Sequence, residues 1–230
     1  MKVEHILKFL KDLSRHNDRE WFEKNKSRYV EAKAGFEEVV ANVLGELVKF
    51  DGGLAGLNPK KLPFRIYRDV RFSSDKRPYK EHICAYLAEG GRKTINPGYY
   101  LHINPGNQSY LASGLWYPPA PELKAVRQEI DYNFDELKSI LENPKFKKQF
   151  PEIEGDKLKT NPKGYDSENP AIELLRYKSW GVSHPFTDAD ILSENFADTV
   201  VSLMKTAKPM IDFLMRPMKE LEEAKGKSRE

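Results

Sequence analysis

The sequence predicts an α+β fold in which an antiparallel sheet of about four to six strands packs against N-terminal and C-terminal helices. Three observations carry this. Apolar residues recur at helical spacing near both ends, short segments in the middle alternate apolar with polar residues, and turn formers separate those segments by only a few positions. Such short connections imply antiparallel pairing, because parallel strands need long crossovers.

From the N-terminus, residues 4–14 place Ile6, Leu7, Leu10 and Leu13 on one helical face. Asn17 followed by Glu20 has the form of a capping box, and an apolar stripe from Trp21 through Phe22, Phe36, Val40 and Val43 to Leu47 predicts a long helix ending near Phe50. Asn17, Trp21, Asn25 and Tyr29 recur at intervals of four and share one side of it. They read either as core aromatics with capping and surface amides or, with Arg28 nearby, as one wall of a polar cleft.

The Gly- and Pro-punctuated loop 51–62 delivers the chain into PFRIYRDVRFSSDKRPYKEHI, residues 63–83, around which the reading is organised. Taken as a strand, residues 64–72 put Phe64, Ile66, Arg68, Val70 and Phe72 on one face and Arg65, Tyr67, Asp69 and Arg71 on the other. Arg68 falls on the apolar face and needs a partner or an exit to water. From Arg65 to Lys80 six basic residues meet two acidic ones, a local charge of +4 against +3 for the whole chain.

Ser73–Pro78 reads as a turn, after which 80–88, 98–104 and 109–117 resume extended alternation, with a turn at 105–107. Aligned as a meander, these segments collect Arg65, Tyr67, Asp69, Arg71, His82, Tyr100, His102 and Asn104 on the face away from the helices. Helical spacing returns over 119–133 and 134–141, followed by a basic segment at 144–150 and a loop over 158–170. Asn169 and Pro170 suit the N-cap and first position of a helix through Leu175. Residues 176–185 read as a last strand, and Ser193 as the cap of a long helix with a kink at Pro209. One domain over 1–218 and a charged, fraying tail over 219–230 are expected.

With 230 residues, 39% hydrophobic and 32% charged, the chain has the composition of a folded domain with a polar surface and not that of a disordered one. No apolar run reaches the ~20 residues of a membrane span, and the first residues lack a signal-peptide core, so a cytoplasmic location and no membrane partner are expected. Cys84 is the one cysteine, which excludes an intrachain disulfide and the usual thiolate zinc site and reads as a small buried hydrophobe. A net charge of +3 falls short of a dedicated duplex-DNA binder.

Gly-rich phosphate loops, HExxH, GxSxG and paired CxxC motifs are absent. Asp69, Asp75, His82 and His102 match no metal-ligand spacing, so no metal site is assigned, and the sequence names no cofactor. Asp69, His82 and His102 are the residues available for acid–base chemistry, though each also suits a structural hydrogen bond.

The residues Arg65, Arg68, Asp69, Arg71 and Phe72, then Asp75, Lys76 and Tyr79, form R-x-x-R-D-x-R-F followed by D-K-x-x-Y. This signature resembles that of a family of bacterial and fungal proteins defined as a domain of unknown function. WFEKNKSRY (21–29), PGYYLHINPG (97–106) and NPKGYDSENPAIELLRYKSW (161–180) extend the resemblance over nearly the whole chain. It implies a family and no reaction.

The residues themselves lead to a site for a small anionic, phosphorylated ligand formed by Arg65, Tyr67, Asp69, Arg71, Lys76, Tyr79, His82 and His102, with Arg65, Arg71 and Lys76 holding the anion. Two alternatives use the same cluster. A nucleic-acid module would add Lys145, Lys147 and Lys148 along a backbone, and a scaffold protein would close the arginines on carboxylates as an internal ion-pair network.

Overall fold

The computed structural model describes residues 3–227, with side chains described as far as Lys225. The elements in order are α1 (Val3–Arg15), α2 (Arg19–Lys24), α3 (Lys26–Leu47), β1 (Ile83–Ala88), β2 (Gly98–Ile103) and β3 (Ser109–Leu115). They are followed by α4 (Ala120–Tyr132), α5 (Phe134–Glu142), α6 (Pro144–Gln149), α7 (Ile172–Leu175), β4 (Trp180–Phe186), α8 (Asp188–Leu192) and α9 (Phe196–Lys227). The fold is α+β, with one four-stranded antiparallel sheet in the order β1-β2-β3-β4. Among the described residues no helix is long and apolar enough to cross a membrane.

The chain divides into two compact units. The first takes the chain up to Arg92, Tyr100–Leu111 and His184–Ser202; the second takes Lys93–Tyr99, Ala112–Ser183 and the chain from Leu203 on.

In the first unit, α1 buries Ile6, Leu7, Leu10 and Leu13 as their spacing requires and packs on α3, whose Phe36, Val39, Val40, Val43 and Leu47 are buried in turn. Each such side chain contributes about 1.5–3 kcal/mol by leaving water. The expected single helix from Asn17 is two helices. Asp18 is the cap, accepting from the Trp21 amide at 2.8 Å, because it stands directly before the first helical residue. The break falls at Asn25, whose φ of −110° and ψ of 17° leave the helical region.

In the second unit, α4 packs on α5 and α7. Arg216 joins Glu129 and Glu136, which ties α9 to α4 and α5, and Lys225 reaches the buried Glu122 of α4 at 2.8 Å. Strand β3 comes against β4 at Gly114, where a Cβ would stand 2.1 Å from the Trp180 carbonyl oxygen and φ is +144°. Only glycine fits there. The basic segment 144–150 forms α6, capped by Asn143 with Pro144 at its first position. Asn169 does not open the helix itself; its side chain accepts from the Ala171 amide, and α7 begins at Ile172. Pro209 and Pro217 both lie inside α9, and the residues from Lys219, expected to fray, continue that helix through Lys227. Residues 228–230 of the expected tail lie outside the described residues.

Candidate functional site

Residues 63–82 are not a strand of the sheet. They fold back on themselves as an irregular arm with isolated antiparallel bridges, Pro63 with Ala85 of β1 and Tyr67 with Tyr79 within the arm. Phe64 N–H donates to Cys84, Arg68 N–H to Pro78, and Lys80 N–H to Ile66, at 2.8–2.9 Å. Two causes interrupt the ladder. Pro63 and Pro78 carry no amide donor, and the Asp69 and Asp75 side chains bond the amides of Arg71 and Arg77, turning the chain locally. The alternation itself survives in burial from Phe64 to Val70, with Ile66 buried and Arg65, Tyr67 and Asp69 exposed. It fails at Phe72, which is 96% exposed.

Most of the arm's guanidinium groups close on its own carboxylates. Arg71 takes Asp69 in a two-pronged contact at 2.9 and 2.7 Å. Arg68 finds the partner it needs in Asp75 at 2.7 Å, and Asp75 also accepts from Arg77, which reaches on to Glu81. The Arg77 fork, the Arg77 amide and Arg68 hold the Asp75 carboxyl well below the usual carboxylate range. Asp69 is lowered by Arg71 in the same way. Lys76 donates to the Val70 carbonyl at 3.0 Å, and Arg65 is exposed.

Tyr79 is 4% exposed, its ring stacked on Phe22 at 3.9 Å and 13°. It belongs to an aromatic core cluster. Tyr67 lies on the outside of that cluster, 5.4 Å from Tyr79 and 45% exposed. Tyr29 packs between Phe9 and Phe22, at 5.8 and 5.2 Å, while Trp21 lies against Phe9 and stacks on His16. Asn25 bonds the Trp21 carbonyl and Arg28, and Arg28 pairs with Asp12 at 2.6 Å. Of the two readings of this stripe, aromatic packing with capping amides describes these contacts.

A second group of polar side chains gathers on β1, β2 and β3. His102 lies between His82, at 4.3 Å, and Tyr110, on which it stacks at 4.5 Å and 16°. The Tyr100 hydroxyl is 3.4 Å from His102 Nδ1 and is also hydrogen-bonded to the Cys84 thiol. Burial pushes both imidazoles down, His82 to about 4 and His102 to about 3, with the charge of Lys80 adding to the effect, so both are neutral at pH 7. Burial pushes the Tyr100 hydroxyl and the Cys84 thiol up, which leaves Cys84 protonated and unreactive.

At the edge of this group Lys80 Nζ and the Arg92 guanidinium lie 5.5 and 5.4 Å from the Phe64 ring, and Phe64 lies 6.3 Å from Tyr100. Arg92 also donates to the Pro63 carbonyl. Neither cation has a carboxylate at ion-pair distance among the described residues. No group of three or more His, Cys, Asp or Glu placed to hold a metal ion occurs among those residues.

Of the face anticipated from the alternation, the structure joins His82, Tyr100 and His102. Arg65, Tyr67, Asp69 and Arg71 belong to the arm, and Asn104 bonds Gln108 at the β2–β3 turn. Tyr110, Phe64, Lys80 and Arg92 were missed. Tyr110 was legible by period-2 alternation, on the face of the 109–117 segment opposite Leu111; Arg92, in a loop after two glycines, carries no signal in the sequence.

Comparison with curated proteins and with solved structures returns no match. A family model described as conserved hypothetical protein (DUF2461) matches residues 5–213, nearly the whole length, and the chain belongs to that family.

Proposed function

We propose that this is a cytoplasmic protein that binds a small anionic, phosphorylated ligand on the imidazole–tyrosine face of β1–β3. The observation that carries the reading is the contrast between two sets of cations. Arg68, Arg71 and Arg77 are engaged by Asp69, Asp75 and Glu81, whereas Lys80 and Arg92 flank Phe64 with no carboxylate of the described residues at ion-pair distance. Lys80 and Arg92 supply the charge, and the neutral imidazoles and the tyrosine hydroxyls supply hydrogen bonds in a half-buried setting where such bonds are strong. On the arm, Arg65 with Arg71 and Lys76 is the other place to hold a phosphate, where Arg71 exchanges Asp69 for the ligand.

Asp75, shared by Arg68 and Arg77, favours the scaffold reading for those two arginines, a network that shapes the chain.

A thermal-shift screen against nucleotides, sugar phosphates, carboxylates, divalent metals and short oligonucleotides tests the proposal. A ligand at ~100 times its dissociation constant stabilises by about 2.7 kcal/mol. The shift given by a small phosphorylated ligand is expected to vanish in Lys80→Ala and to persist in Arg71→Ala. The opposite pattern moves the site to the arm, and no shift with any ligand class leaves the scaffold reading.

A further inference from the structure

The tip of the 63–82 arm is built differently from the face of the sheet, and it points to a second activity. Phe72 is 96% exposed, with the Arg71 guanidinium 5.8 Å from its ring. Tyr67 offers a second half-open ring on the same arm, and Arg65, Lys76 and Arg77 are exposed along it. An aromatic ring held in water in the middle of a segment of charge +4 contributes nothing to the core. We propose that this tip binds single-stranded nucleic acid, with a base stacked on Phe72 beside Arg71 and phosphates on Arg65 and Lys76.

The chemistry favours this occupant. Sequence-tolerant single-strand sites combine aromatic platforms with cations that follow the backbone, and both are present within one short segment. A bilayer is the weaker fit, since Phe72 stands alone between Arg71 and the polar Ser73 and Ser74, too little apolar area to anchor a protein. The Asp69–Arg71 pair is no obstacle. Its side chains are 47% and 76% exposed, and exposed pairs exchange one anion for another at little cost.

The test is a fluorescence-anisotropy titration of the full chain against a labelled single-stranded oligonucleotide of about 20 nucleotides, a length that spans one such site. Phe72→Ala is expected to weaken binding by about fivefold or more, and Phe72→Trp to restore it with quenching of the new indole. Affinity is expected to fall steeply between about 50 and 200 mM salt, with a slope reduced by about one in Lys76→Ala. Lys80→Ala is expected to bind normally, which separates this site from the one on the sheet. Absence of binding at the lower salt, or equal affinity of wild type and Phe72→Ala, overturns the proposal. Phe72-dependent sedimentation with phosphatidylserine vesicles in the absence of oligonucleotide binding also overturns it, in favour of a lipid surface.

Discussion

Asn17 and Tyr79, far apart in sequence, are joined by two hydrogen bonds of 3.1 Å: the Asn17 Nδ2 donates to the Tyr79 carbonyl, and the Tyr79 amide donates to Asn17 Oδ1. One side-chain amide therefore does for Tyr79 what a neighbouring strand would do, satisfying both backbone groups of a residue buried on Phe22. Asn17→Ala is expected to destabilise the protein by about 2–4 kcal/mol, since it leaves a donor and an acceptor without partners. Asn17→Asp does not rescue it, because a carboxylate accepts from the amide but repels the carbonyl and Glu81, to which Asn17 also donates. Urea denaturation reads both variants; a change within about 0.5 kcal/mol for Asn17→Ala would show that water replaces the side chain.

The same pair shows where sequence reading stops. Asn17 carries the local signature of a helix cap, and nothing local says that a residue 62 positions away will claim its amide while Asp18 caps instead. Helices, whose signals are local and periodic, were legible at α1, α4, α5 and along α9, as were four of the strands expected from alternation. The 64–72 segment reads as a strand because apolar residues alternate along it, and its burial does alternate from Phe64 to Val70; what its side chains decide, by pairing Asp69 with Arg71 and Asp75 with Arg77 two residues apart, is the backbone course. In the site, His82, Tyr100 and His102 were found by period-2 alternation, on which Lys80 falls two residues before His82, whereas Arg92 joins them through its long-range bond to the arm.

Asp75 and Asp69 look alike in sequence and are expected to behave differently. Asp75→Asn removes the charge that holds Arg68 and Arg77 together, so the Arg68 amide, bonded to Pro78, and the Lys80 amide, bonded to Ile66, should exchange with solvent on the order of tenfold faster. Asp69→Asn frees only the exposed Arg71 and should leave those amides within about twofold of wild type. Hydrogen exchange followed by mass spectrometry distinguishes the two. Equal effects would mean that the arm is held by its backbone bonds alone.

Glycines 45 and 114 give a contrast of opposite sign. Gly45 lies inside α3 with nothing within 4 Å of an added Cβ, so Gly45→Ala should stabilise by about 0.5–1 kcal/mol through the unfolded chain. Gly114→Ala meets the Trp180 carbonyl and a φ of +144°, and a loss on the order of 3 kcal/mol is expected. Melting temperatures of the two variants against wild type check both signs. A neutral Gly114→Ala would require the β3–β4 approach to widen at that point.

The imidazole pair makes stability and ligand binding respond to pH in linked ways. Both folded-state values, about 4 for His82 and about 3 for His102, lie below the ordinary 6.5, so between pH 6.5 and about 4 the unfolded chain binds protons that the folded chain refuses. Their contribution is therefore greatest above pH 6.5 and is lost as pH falls. Because lowered carboxylates such as Asp12 and Glu136 titrate at more acid pH, the window from about 7 to 5 isolates the histidines. Denaturation across that window should show a positive slope of stability with pH, and His102→Asn should reduce it by up to one proton; an unchanged slope would contradict burial of His102. An anion bound beside Lys80 and His82 favours the imidazolium, so binding takes up protons. Sulfate, a dianion throughout this range, titrated by calorimetry in buffers of differing ionisation enthalpy, should bind more tightly at pH 5.5 than at pH 7.5 with net proton uptake, and His82→Asn should lower that uptake. Binding that is indifferent to pH and to His82 would place the anion away from the imidazoles.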